Sequence, residues 1–178
     1  KIPVIAGGGI VDARGLMGAL SLGAEAVYMG TRFMATTECP THPNVKQAIL
    51  EAIDTSTMAV RHGSPFAKEE KNRGDRGFVE ERRGSVRMLI NDALRRIIVD
   101  KGGAITFADA LEASQSSDLN PESNRTVAAF VQGDLEGNSI TMSQGSGLIK
   151  DVPTCRELII RIVEEAGSIL ERLNAVYR

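Results

Sequence analysis

Cysteine is scarce. Cys39 and Cys155 are the only two in 178 residues, far apart and without the spacing of a metal-ligand set, so they read as unpaired thiols. Histidine is equally sparse, and neither His42 nor His62 lies in a cluster of carboxylates or cysteines. No apolar run reaches membrane-spanning length, and no signal-peptide pattern is present. Charge of one sign is missing too: a formal net charge of −2 and a pI near 5.8 give no electrostatic footprint for nucleic acid or an anionic membrane. There is no internal repeat and no sustained low-complexity tract. What is left is an ordinary globular composition, 42% hydrophobic with 25% charged residues, for which a cytoplasmic setting is the expectation.

What is there begins at once. Residues 2–6 form a short apolar run rich in β-branched side chains, ended by Gly7-Gly8-Gly9; the pattern predicts a strand buried on both faces that runs into a tight, backbone-exposing loop. Asp12 is the expected N-cap of a helix whose apolar stripe is Leu16, Met17, Ala19, Leu20 and Leu22, with Gly23 as its stop. Ala26-Val27-Tyr28-Met29 predicts a second buried strand ending at Gly30. Strand, helix and strand make a βαβ unit with parallel strands and a right-handed crossover.

The chemistry lies at the two strand ends. Gly7, Gly8 and Gly9 on one, Gly30 and Thr31 on the other, emerge side by side at the carboxyl edge of the sheet, where bare N–H groups can surround an anion. Loops after the last two strands of a (β/α)₈ barrel often make a phosphate site of this kind. A Cβ there would hold the phosphate away from the amides. One Gly-rich loop need only turn the chain; two on adjacent strands point to a phosphate-bearing ligand, with the Thr31 hydroxyl as a further donor.

These residues also carry a resemblance. Ile2 to Ile10, Ala19-Leu20-Ser21-Leu22-Gly23-Ala24 and Met29-Gly30-Thr31-Arg32-Phe33 resemble the last two barrel strands of the FMN-dependent nitronate monooxygenases, formerly 2-nitropropane dioxygenases. FMN-dependent enoyl-ACP reductases and quinone reductases share the pattern. Ser143-Gln144-Gly145-Ser146-Gly147-Leu148-Ile149 and Asp151-Val152-Pro153 resemble the same group's late glutamine–glycine loop and the start of its final helix. The likeness is strong over residues 1–50 and 143–173 and thin between them. IMP dehydrogenases carry a similar Gly-Gly-Ile strand end, so a flavin-free phosphate-binding barrel is the reading from outside the group.

The resemblance implies an α/β fold, the C-terminal part of a TIM (β/α)₈ barrel with an inserted, mostly helical second domain. It implies FMN as cofactor, contacted by Gly7, Gly8, Gly9, Tyr28, Met29, Gly30, Thr31, Gln144 and Gly145. It implies oxidation of alkyl nitronates by O₂ or, in the reductase alternative, electrons from NAD(P)H, and it is compatible with a homodimer. In the monooxygenases a histidine in a Gly-Gly-His stretch handles the proton, on the strand before the one that opens here. That stretch is absent from the sequence, so no catalytic residue is named. A complete barrel needs roughly 200 residues or more, and the chain opens on a strand without an initiator Met. The expectation is therefore a C-terminal fragment, inactive without its other half, or a decayed barrel half.

Domain boundaries are expected at 1–56 for the last two barrel strands and their helices, 57–142 for the inserted helical or α+β subdomain, and 143–178 for the active-site loop and final helix. Within the first block, Pro43 opens a helix to about Ile53, with Val45, Ala48, Ile49, Ala52 and Ile53 as its stripe. His42 reads as part of that helix-entry turn, a ligand or base being the other reading. Residues 57–61 predict a strand. Residues 63–84 are polar and mixed in charge, and 61–101 holds 11 Lys or Arg against 7 Asp or Glu, which reads as a solvated surface rather than a docking patch. Ser85 is expected to cap a helix with Val86, Leu89, Ile90, Ala93, Leu94, Ile97 and Ile98 on one face, followed by helices over 107–114 and 122–132 with Gly133 as the last stop. Thr154 and Glu157 form a capping box for a final helix from Cys155 to about Asn174, expected to pack on the strand of Val27.

Overall fold

The loop Gly7-Gly8-Gly9 forces the chain to turn immediately after its first strand, and the topology of the amino-terminal region follows from it. The computed structural model describes residues 2–61, 85–92, 94–95, 98, 130–136 and 140–176. These fall in two compact units, Lys1–Thr55 with Ser143–Arg178, and Ser56–Met142.

In the first unit, strand β1 (Ile5–Gly7) pairs in parallel with β2 (Ala26–Tyr28), with Ile5 opposite Ala26, Ala6 opposite Val27 and Gly7 opposite Tyr28. Helix α1 (Ala13–Ser21) connects them. Its cap is the expected one: Asp12 Oδ1 accepts from Gly15 N at 3.1 Å, and Gly23 leaves the helix at φ +97°. Its stripe is narrower than the spacing predicts, since Ala13 is buried and Leu22 is 91% exposed. The strands differ from expectation as well. Val4 and Ile5 are 59% and 63% exposed and Tyr28 is 70% exposed, because a sheet of two strands leaves both its edges and much of its faces uncovered. No closed barrel is present among the described residues.

Helix α2 (Thr31–Met34) follows Gly30 directly, and α3 (Pro43–Glu51) comes next. His42 Nδ1 accepts from Asn44 N at 3.1 Å, so this histidine caps α3, with Pro43 in the first turn where no N–H is needed. Val45, Ile49 and Ala52 are buried; Ile53 points outward. Lys150 Nζ donates to the carbonyls of Leu50 and Ala52 at the end of α3. Helix α4 (Cys155–Val176) opens on a reciprocal box, Glu157 N to Thr154 Oγ1 at 3.1 Å and Thr154 N to Glu157 Oε2 at 2.8 Å. It buries Leu158, Ile162 and Ala166 and packs chiefly along α1, where the sequence predicts the strand of Val27.

In the second unit, β3 (Thr57–Arg61) pairs antiparallel with β4 (Ser85–Leu89). This corrects the helix expected from Ser85. Val86 and Met88 alternate along β4 opposite Val60 and Met58, Ile90 N donates to Ser56 O, and the carbonyls of Ile140 and Arg87 tie in the 140–142 segment. The helix starts only after Asn91, whose Oδ1 accepts from Leu94 N at 2.9 Å. Val60, Met88 and Leu94 form the buried cluster. Gly133 ends a helical turn over 130–132 at φ +73°. His62, the polar stretch 63–84 and the helix expected over 107–114 lie outside the described residues, as does most of that over 122–132.

Candidate functional site at the strand tips

Gly8 and Gly9 adopt φ of +96° and +73°, a region L-residues enter only with strain, so glycine is required at both by the backbone itself. Gly30 is different. Its φ of −93° suits any residue, yet a Cβ built on it, or on Gly8 or Gly9, would meet no protein atom within 4 Å. Gly7 at the end of β1 pairs with Tyr28 at the end of β2, and the space over Gly8, Gly9 and Gly30 beyond those ends is open. At Gly7 a Cβ would make only ordinary contact with Tyr28. Met29 is half-buried.

The late loop comes back to these tips. Ser143 Oγ accepts from Gly145 N at 3.0 Å and starts a 3₁₀ turn over Gln144–Leu148. Here glycine is required by contact. A Cβ on Gly145 would stand 2.8 Å from the Gly9 carbonyl oxygen and 2.9 Å from Val11 Cγ1, and one on Gly147 would stand 3.0 Å from Asp54 N. The turn is therefore seated on the end of β1 on one side and on the 53–54 backbone on the other. Between them opens a cleft of about 600 Å³, lined by Gly9, Ile53, Asp54, Gln144, Gly145, Gly147 and Leu148. Gln144 and Gly145, 135 and 136 positions beyond Gly9 in sequence, are thus brought to one cavity with it.

Thr31 lies inside the fold rather than at the mouth. It is 8% exposed, and its Oγ1 accepts from Ser143 N at 2.9 Å. Arg32, which the sequence does not mark as functional, is 3% exposed and donates to Asp151 O at 3.2 Å and to Asp151 Oδ1 at 2.9 Å. Arg161 reaches Asp151 Oδ2 at 2.6 Å. Burial pushes the Asp151 carboxyl upward, but the Arg161 hydrogen bond and the charges of Arg32 and Arg161 outweigh it and hold it below its ordinary value. Burial pulls the Arg32 guanidinium down, against the Asp151 charge. The only hint of this pair in the sequence is an arginine within the apolar stretch from Tyr28 to Met34, since its partner lies 119 residues away.

Among the described residues no group of histidines, cysteines and carboxylates could hold a metal ion, Cys39 and Cys155 are free thiols, and no helix is long and apolar enough to cross a membrane.

A family model described as nitronate monooxygenase matches residues 1–165. A 5-hydroxy-7a-methyl-1-oxo-octahydro-indene-4-carboxyl-CoA dehydrogenase of Mycobacterium tuberculosis is 33% identical over 98% of this chain and 52% of its own length. A Bacillus subtilis protein described as a probable nitronate monooxygenase is 48% identical over 32% of this chain and 16% of its own. Among solved structures, FabK from Thermotoga maritima superposes with a TM-score of 0.72 at 32% identity, over 99% of this chain and 48% of that one. The chain spans about half the length of the dehydrogenase and of FabK.

Proposed function

Because the chain belongs to the nitronate monooxygenase family, we propose that it carries the phosphate-binding part of a (β/α)₈ flavoenzyme that holds FMN at the tips of β1 and β2 and oxidises alkyl nitronates with O₂. The observation that carries this reading is the open cradle at Gly8, Gly9 and Gly30, a place where each missing Cβ leaves room and exposed backbone. The fit is good for a terminal phosphate, which needs close approach to N–H groups and tolerates no methyl between. Gly7, Gly8, Gly9 and Gly30 would take the phosphate end. Tyr28 and Met29 at the end of β2, together with Gln144 and Gly145, would border the rest, the Gln144 amide offering both a donor and an acceptor.

When bound, FMN supplies the redox chemistry, taking up electrons and passing them on. The chain's own residues bind and orient. The Gln144–Leu148 turn keeps one wall of the cleft in place, and the backbone at Gly9 keeps the other. Asp54 lines the same cleft. The proton-handling histidine expected of a nitronate oxidase has no counterpart at His42, which is committed to capping α3.

The test is FMN uptake by flavin-free full-length protein containing this chain, followed by O₂ consumption with an alkyl nitronate. Yellow, nitronate-oxidising protein supports the proposal; protein that takes up no FMN points to the flavin-free phosphate-binding reading. A second reading is an FMN-dependent enoyl-ACP or quinone reductase that takes electrons from NAD(P)H; the match of almost the whole chain to a carboxyl-CoA dehydrogenase favours redox chemistry on an acyl-thioester substrate. Anaerobic bleaching of the bound flavin by NAD(P)H would select it.

A further inference from the structure

Two consecutive residues, Thr31 and Arg32, hold the two ends of one segment. Thr31 Oγ1 takes the N–H of Ser143 at 2.9 Å, and Arg32 takes both the carbonyl and the carboxylate of Asp151, at 3.2 and 2.9 Å. Both side chains are almost fully buried. The segment between, residues 143–151, contains Gln144 and Gly145, and Gly145 lies so close to the Gly9 carbonyl that no side chain fits. Thr31 and Arg32 follow Gly30 directly, so the turn that presents one strand tip also grips the loop that abuts the other.

We infer that Thr31 and Arg32 form a bracket that fixes segment 143–151 against the strand tips and so positions Gln144 and Gly145 for the ligand, with Thr31 acting through Ser143. They are positioning residues. This rests on the reading of the tips as a mononucleotide site, and it assigns the Thr31 oxygen to the protein's own backbone. The arrangement has a physical logic. A loop held only at its far end would lose the stagger between Gly145 and Gly9 on any small slide, whereas hydrogen bonds at both ends, from one rigid turn, permit a single placement.

The test compares wild type with Thr31→Val, which keeps the side-chain shape and deletes the acceptor, and Thr31→Ser, which restores it. Two quantities are read: amide hydrogen exchange over 143–149 in flavin-free protein, and FMN affinity with the visible circular dichroism of the bound flavin. In Thr31→Val, exchange over 143–149 should quicken and the FMN dissociation constant should rise, each roughly five- to tenfold, the ratio one net hydrogen bond commands. Exchange in α1 and α4 should not change, the flavin dichroism should move toward that of free FMN, and Thr31→Ser should recover all of these. Should Thr31→Val not fold, Thr31→Ala deletes the same acceptor in a smaller side chain and leaves the Ser143 cap of the turn intact.

Unchanged exchange and unchanged affinity overturn the bracket. Weakened affinity with unchanged exchange also overturns it, and makes Thr31 a direct ligand contact. Faster exchange with unchanged affinity overturns the positioning role. Wild-type protein that takes up no FMN, with exchange still faster in Thr31→Val, removes the flavin reading and the positioning role with it, so that failure is told apart from the others.

Discussion

At the scale of residues, the glycines separate by the reason each is needed. Gly9 needs a positive φ, Gly145 needs to touch a carbonyl, and Gly30 needs neither. Gly30→Val is therefore expected to leave stability within about 0.5 kcal/mol of wild type while lowering FMN affinity more than tenfold, as measured by thermal denaturation beside flavin titration. Gly145→Ala should cost roughly 1–3 kcal/mol through overpacking against Gly9, visible in the same denaturation experiment without any flavin. Asp151 gives a pH dependence whose sign is fixed. Its folded value is depressed, so its pairing with Arg161 and Arg32 stabilises fully above the ordinary carboxylate value of about 4 and is lost as pH falls through the lower folded value. Urea denaturation should find Asp151→Asn less stable than wild type at neutral pH and the gap narrowing in acid. A gap that widens in acid would contradict the pairing.

At the scale of elements, local signals were legible where a short stretch decides the outcome. Asp12 and Gly23 around α1, Pro43 at the start of α3 and the Thr154–Glu157 box at α4 all act within one turn of chain. Thr154→Ala should cost about 1 kcal/mol for the lost cap, checked by denaturation. The signals failed where a distant partner decides. Val86, Leu89 and Ile90 suit a helix, but Val86-Arg87-Met88 also alternates, and pairing with residues 57–61 settles 85–89 as a strand. Truncating its buried residue, Met88→Ala, should cost roughly 2–5 kcal/mol. Arg32 and Asp151 were illegible for the same reason, as was the seating of Gly145 on Gly9: neither contact leaves a pattern in local sequence.

At the scale of the molecule, the apolar strands are where the sequence reading and residues 1–178 differ. Ile5 and Tyr28 read as core, yet they face solvent on a two-stranded sheet. In a closed barrel neighbouring strands cover such positions, and apolar surface left bare on residues 1–178 by themselves should bind a hydrophobic dye, less so in Ile5→Lys. Dye binding unaffected by that change would say the exposed strand is not its source.

The most direct measurement is FMN titration of flavin-free protein containing this chain, wild type against Gly30→Val. Wild type should bind one FMN per chain, and the variant should keep its fold and lose the flavin. No binding by wild type, or equal binding by both, would contradict a mononucleotide held between the strand tips.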